Sequence, residues 1–128
     1  MSLNVVDSSG WLEYLAGGPN ADFFKPAISD AKNLLVPAVC VYEVTKVIRL
    51  RQGEQAAESI AALMQQQGTE VPMAGALALA ASRLAVAHGL AMADAMIAAT
   101  AQAFGAELWT QDLDFKGLLN IRYKAKKK

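Results

Sequence analysis

A single cysteine, Cys40, and a single histidine, His88, are all that this 128-residue chain holds of either type. One cysteine excludes an intrachain disulfide and a cysteine-rich zinc site, and it agrees with a reducing compartment. One histidine, placed just before Gly89 where a helix macrodipole favours it, leaves Ser-His-Asp and Cys-His catalysis poorly supplied. No P-loop or other glycine-rich phosphate fingerprint occurs, so nucleotide cofactors lack a binding signature. No run reaches the roughly 18 apolar residues that span a bilayer, because Arg83, His88 and Asp94 interrupt the alanine-rich stretches. No membrane partner is expected. Met1 to Asp7 lacks the basic start and long apolar run of a signal peptide, so the expected location is cytoplasmic. Neither sign of charge prevails, with Lys+Arg and Asp+Glu at 12 each. That balance argues against a protein that coats nucleic acid through its net charge.

What is present is ample apolar material. Hydrophobic residues make up 54% of the chain and charged ones 19%, enough for one buried core in one globular domain. The expected division is a domain over residues 1–123 and a basic tail over 124–128. From Lys116 onward come six basic residues, Lys116, Arg122, Lys124, Lys126, Lys127 and Lys128, and no acidic one. Lys46, Arg49 and Arg51 form a second basic cluster. Either group could meet phosphates. The stretch Lys124 to Lys128 reads first as a solvated, frayed terminus.

The order of elements is read from periodicity and punctuation. Leu3 to Val6 predicts a buried strand ending at Asp7, and Ser8 or Ser9 can cap a short helix through Trp11, Leu12 and Leu15 that Gly17, Gly18 and Pro19 stop. A helix over Ala21 to Asp30, broken or bent by Pro26, precedes a strand at Asn33 to Pro37. Ala38 to Arg51 and Glu54 to Gln67, separated by Gly53 and closed by Gly68, predict a helical hairpin. Thr69 to Pro72 is a brief extended piece. Two alanine-rich helices follow, Ala74 to His88 and Asp94 to Phe104, closed by Gly89 and Gly105. Glu107 to Thr110 and Asn120 to Tyr123 are the last strands. Strands alternating with helices predict an α/β fold, a mainly parallel central sheet covered on both faces. In such sheets ligands bind beyond the carboxyl ends of the strands.

Four carboxylates are brought to that edge. Asp7 follows the first strand directly; a cap or turn is the alternative, which Ser8 and Ser9 could relieve. Glu43 stands one helical turn from Val39 and from Val47, inside an apolar stripe, where an unpaired anion costs several kcal/mol. Lys46 or Arg83 could answer it with a salt bridge. Asp94 opens a helix and shares a face with Ile97, Ala98 and Ala101, and an N-cap is its structural alternative. Asp112 follows the Glu107 to Thr110 strand, with an Asx-turn as its alternative and Asp114 as a competing acid. Crowded carboxylates raise one another's pKa unless a cation compensates. Oxygen-only ligation selects Mg²⁺ or Mn²⁺. A metal-activated water and a charge-stabilised phosphate are the ingredients of phosphodiester hydrolysis.

Four segments in this order, Val5-Val-Asp7-Ser-Ser9, Tyr42-Glu43-Val44, Ala93-Asp94-Ala95-Met-Ile97-Ala98-Ala99 and Thr110-Gln-Asp112-Leu-Asp114-Phe115, resemble the PIN-domain pattern. More narrowly they resemble VapC-type toxins of bacterial toxin-antitoxin pairs. Each motif is weak alone and the ordered set, from Val5 to about Phe115, is strong. The resemblance implies a three-layer α/β/α sandwich, Mg²⁺- or Mn²⁺-dependent endoribonuclease activity on an RNA substrate, homodimerisation and a cognate antitoxin protein. It implies Asp7, Glu43, Asp94 and Asp112 as the catalytic and metal-binding quartet, with Asp7 and Asp94 as direct ligands and Ser9 and Thr110 as polar supports. Two other readings remain open. One is a PIN-like module that binds RNA or assembles without cutting. The other is a metal-dependent phosphatase, although a haloacid-dehalogenase-like enzyme would want an Asp where Ser9 stands. A response-regulator receiver would want an acidic pair after the first strand and a lysine after the last; neither is clear here.

Overall fold

The computed structural model describes residues 2–127. Five strands, β1 (Asn4–Val6), β2 (Leu34–Pro37), β3 (Thr69–Val71), β4 (Glu107–Thr110) and β5 (Ile121–Tyr123), are threaded through six helices. The helices are α1 (Ser8–Ala16), α2 (Ala21–Ser29), α3 (Ala38–Gln52), α4 (Glu54–Gln67), α5 (Gly75–His88) and α6 (Met92–Ala103). Short 3-10 turns lie at Ala31–Asn33 and Leu113–Phe115. The expected α/β class holds, and the sheet is wholly parallel, with strand order β3-β2-β1-β4-β5.

Short apolar strands suit the middle of such a sheet, because a parallel strand is covered on both faces. All residues of β1 and β2 are accordingly buried. Val5, Val6, Leu34, Val36 and Leu108 from the strands meet Trp11, Phe24, Ile28, Met64 and Ile97 from the helices in one core. Helices α1 and α2 pack on each other and reach β4 and β1 respectively; α6 packs on β1 and β4, with α3 and α4 over β2. This is the expected three-layer α/β/α sandwich. The alanines do the close packing: α6 buries Ala95, Ala98, Ala99 and Ala101, small enough for α5 and the sheet to approach its backbone. Among the described residues no single helix is long and apolar enough to cross a membrane, and the apolar pair α5 and α6 meets at 115°.

Three details differ from the sequence expectation. Helix α6 starts at Met92, two residues before Asp94, because Ala91 carries the non-helical start without any side-chain cap to mark it. Pro26 lies inside α2 and does not end it. The carbonyl left without its usual partner is that of Asp22, an exposed residue that water can reach. The tail is not frayed at its start: Lys124 N donates to Thr110 O at 3.1 Å, prolonging the β4–β5 ladder.

The topology fixes where chemistry can collect. From β1 the chain winds outward through β2 to β3, then returns to the other side of β1 for β4 and β5. Between β1 and β4 the direction of winding reverses, and loops leaving the carboxyl ends of these two strands part to leave a crevice. One glycine holds that crevice together. A Cβ on Gly10 would lie 2.6 Å from Phe24 Cε1 and 2.7 Å from Val6 Cγ1, so the first turn of α1 fits against β1 and α2 only without a side chain. Gly10→Ala is therefore expected to destabilise the fold by about 1–3 kcal/mol. Chemical denaturation of the purified variant checks this, and an unchanged midpoint would contradict the packing described.

Candidate functional site

Asp7 leaves the end of β1 while still tied to the sheet, its N–H donating to Trp109 O at 3.2 Å. Its carbonyl accepts the first bond of α1 from Trp11 N at 3.0 Å. Its side chain is the N-cap, accepting from Gly10 N at 2.8 Å. The sequence left that duty to Ser8 or Ser9; both are instead helical, because Asp7 has the extended backbone a cap requires. Capping does not exhaust the carboxylate. Ser9 Oγ donates to it at 3.0–3.1 Å and Thr110 Oγ1, itself fully buried, at 2.6 Å. Asp7 is 2% exposed. Burial pushes its pKa up to about 6; the hydrogen bonds from Thr110, Gly10 and Ser9 pull it back only in part, and the charge of Asp112 adds to the rise.

Glu43 lies in the second turn of α3, half-buried at the border of the face that buries Val39, Cys40 and Val44. Its partner is Ser8, whose hydroxyl donates to Oε1 at 2.6 Å. The alternative salt bridge is not made: neither Lys46 nor Arg83 pairs with it, and Lys46 Nζ sits 5.8 Å from the centre of the Tyr42 ring. The most deeply buried acid is thus Asp7, not Glu43. The second basic cluster is also partly engaged, since Arg49 bonds Glu54 at 2.7 Å.

Asp94, in the first turn of α6, is half-buried and caps nothing. Asp112 follows β4 and does form the Asx-type turn weighed as its alternative, its Oδ1 accepting from Asp114 N at 2.9 Å. Its own N–H donates to Thr110 Oγ1 at 2.9 Å, so one threonine braces both Asp7 and Asp112. Turn geometry and site membership coexist here. Asp94, Asp112 and Asp114 each bring one oxygen within 4.8 Å of the other two. Asp114, second choice on the sequence, therefore belongs to the cluster together with Asp112.

The charges are mutually felt. The pKa of Asp94 is pushed up to about 6, first by burial and then by the charges of Asp112, Glu43, Asp7 and Asp114. A set of oxygen donors close together, with Asp7 and Asp94 costly to ionise, is what a hard divalent cation compensates. Beneath it lies Cys40, fully buried, with its thiol donating to Val6 O at 3.7 Å. Burial pushes that thiol well above its ordinary range, and the charges of Asp7, Glu43 and Asp94 add to the effect.

Sequence reasoning missed three participants. Ser8 was read only as a possible cap, although a hydroxyl next to a strand-end Asp is a usable signal for a second carboxylate nearby. Asn20 and Gln111, both buried, were not singled out. Asn20 Nδ2 donates to Gln111 Oε1 at 3.0 Å across 91 residues of chain, and nothing local announces that contact.

Raised carboxylate pKa values set the sign of a pH dependence. Between about pH 4 and pH 6 the folded chain holds protons on Asp7 and Asp94 that the unfolded chain has released. Their contribution to stability is therefore present at low pH and is lost as pH rises through 6. For Asp7 the loss is on the order of 3 kcal/mol. Asp94→Asn removes part of the repulsion, so the metal-free variant should melt above the metal-free parent at neutral pH, with the gap closing near pH 4 to 5. Calorimetry across that range checks this; a variant that melts lower at neutral pH would overturn the electrostatic account.

Comparison with known proteins agrees with this geometry. Residues 5–118 match the PIN domain family. A toxin-antitoxin complex from Klebsiella pneumoniae includes a chain similar in fold, with a TM-score of 0.76 at 20% identity over 93% of this chain and 95% of that one. Mycobacterium tuberculosis VapC20, described as a Sarcin-Ricin loop cleaving toxin, aligns with a TM-score of 0.73 at 20% identity, covering 89% of this chain and 93% of that one. A chain of Rickettsia felis VapBC2 bound to promoter DNA aligns with a TM-score of 0.72 at 13% identity, covering 96% and 98%. Among curated proteins no sequence matches significantly. With the family match spanning residues 5–118 and a parallel sheet of the same fold, this chain belongs to the PIN-domain family.

Proposed function

We propose that this protein is a Mg²⁺- or Mn²⁺-dependent endoribonuclease and the toxin of a toxin-antitoxin pair. The observation that carries the reading is the group of three carboxylates, Asp94, Asp112 and Asp114, with oxygens within 4.8 Å of one another at the carboxyl edge of a PIN sheet. Asp7 and Glu43 flank it and raise the cost of ionising Asp94. In this reading Asp7, Glu43, Asp94 and Asp112 hold the metal and act in catalysis, and Asp114 joins them. The donor set supports a hard ion, since carboxylates without nitrogen or sulfur partners suit Mg²⁺ and Mn²⁺. A bound ion of this kind supplies positive charge to a phosphate and lowers the pKa of a coordinated water.

The chain's own residues do the rest. Thr110, Ser9 and Gly10 fix the Asp7 oxygens, so that carboxylate loses no freedom when it binds. Ser8 fixes Glu43 Oε1 and leaves Oε2 to accept a proton or a ligand. The turn at Asp114 N orients Asp112. The toxin assignment draws its support from the similar folds, three of which come from described toxins or toxin-antitoxin complexes. The exposed Tyr42 and Leu50 of α3, and Leu79, Val86 and Met92 of α5 and α6, give apolar surface that a second copy of the chain or an antitoxin could cover. The expected location is cytoplasmic.

Purified protein should cut single-stranded RNA with Mn²⁺ or Mg²⁺ and stop on chelation. Asp94→Asn should reduce the rate by at least about a hundredfold while the chain stays folded. RNA binding without any cleavage would favour a PIN module that binds and does not cut. Turnover confined to a small phosphate ester would favour a phosphatase. In cells, expression should halt growth, and a small protein encoded beside it should restore growth. Harmless expression of a chain that cuts RNA in vitro would count against the toxin assignment.

A further inference from the structure

The basic tail is built into the site. Asn20, 1% exposed, donates from Nδ2 to Ala125 O at 3.0 Å as well as to Gln111 Oε1 at 3.0 Å. Two acceptors on one amide nitrogen determine its orientation, and its Oδ1 is buried without a partner. With Lys124 N bonded to Thr110 O at the end of β4, the chain after β5 is thus pinned at consecutive residues, the second of them reaching Gln111 of the loop that carries Asp112 through Asn20. A solvated terminus needs no buried amide to hold it.

What the pinning creates is a wall. A cavity of about 470 Å³ is lined by Ser9, Gln111, Asp112, Tyr123, Ala125 and Lys126. Ser9 bonds Asp7 and Asp112 belongs to the acidic group, so the cavity opens directly beside the proposed catalytic centre. Its volume falls within the range of ordinary small-ligand sites, about 300–1,000 Å³. Its chemistry combines an aromatic ring, amide groups and a cation. Arg122 bonds Glu107 at 2.8 Å and lies over Trp109, and Lys116 Nζ lies 5.2 Å from the centre of the Tyr123 ring; of the remaining nearby cations Lys124, Lys126 and Lys127, only Lys126 lines the cavity. Lys126 makes no ion pair among the described residues.

A polyanion approaching five carboxylates is repelled at every phosphate, and an ion at the centre relieves only the phosphate it touches. A cation carried on backbone tied beside the centre relieves the next one. We propose that this cavity is the subsite for the nucleotide adjoining the scissile phosphodiester, with Lys126 contacting that nucleotide's phosphate and the Asn20 clamp holding the wall in place. The proposal rests on the ribonuclease reading for the identity of the strand, and it adds where the strand lies and which residues position it.

The test uses the full chain and a labelled, mixed-sequence single-stranded RNA of about a dozen nucleotides, with chelator present so that it stays whole. Binding is followed by fluorescence anisotropy over a salt series. Lys126→Ala should reduce the slope of log affinity against log salt by about 0.7, which at ~0.1 M salt amounts to roughly fivefold weaker binding. Lys126→Arg should keep the parent slope, and Lys32→Ala, on the 3-10 turn before β2, should change nothing. Asn20→Asp, which removes the Nδ2 donor, should lower affinity alongside and speed amide exchange in the 124–126 segment. If that variant does not fold, the Lys126 series decides alone. In cleavage assays Lys126→Ala should raise KM and leave kcat near the parent value. Parent-like affinity and salt slope in Lys126→Ala, or no RNA binding by the parent, would overturn the subsite. The two readings fail separately: a parent that binds through Lys126 but never cuts removes the ribonuclease and keeps the subsite. A parent that cuts while Lys126→Ala binds normally does the reverse.

Discussion

A carboxylate with almost no access to water sits where β1, α1 and β4 meet. Asp7 ties these elements together through Gly10 N, Ser9 and Thr110, and each tie also opposes the cost of burying a charge. The compensation is incomplete, as the raised pKa records. The remaining deficit is what makes the junction useful, because a buried anion held rigidly and short of positive charge is already arranged to receive it. Thr110 extends this constraint to the loop after β4, and Gly10 extends it to the packing of α1 on α2. Disturbing the junction therefore disturbs fold and site together.

The other acids depend on the same topology. A parallel sheet sends all its strand ends to one edge, and the reversal of winding between β1 and β4 opens that edge at the place where Asp7 and Asp112 emerge. Helices α3 and α6 contribute Glu43 and Asp94 from positions early in each helix. Residues separated by as much as 105 positions in sequence thus share one electrostatic environment. Stability is conceded there, as is common at functional sites.

Much of this was legible in the chain itself. The central strands and the helices could be read because short apolar runs alternate with long helical patterns, and glycines 17, 53, 89 and 105 close the segments. The acids at 7, 43, 94 and 112 could be read because each lies at a strand exit or interrupts an apolar face. What could not be read depends on distance or on choices between neighbours. Ser8, Ser9 and Asp7 are all good caps, and the carboxylate caps because its backbone, not that of the serines, has the extended geometry. Asp112 and Asp114 needed no choice, since the turn that joins them brings an oxygen of each close to Asp94. The start of α6 carries no mark in the sequence because no side chain caps it. The clamp from Asn20 to Gln111 and Ala125 spans 91 and 105 residues, and no local pattern encodes it.

Cys40 gives the site a built-in clock. Its thiol is fully buried, bonded to Val6 O, and surrounded by negative charge that disfavours the thiolate. Since only the thiolate reacts, an alkylating reagent must wait for α3 to leave β1. As no second cysteine competes for the label, the rate of modification reports how often the floor of the acidic crevice opens. At constant pH that rate should slow when a cation neutralises charge at the crevice, which makes one silent side chain a meter for the occupancy of the groups above it.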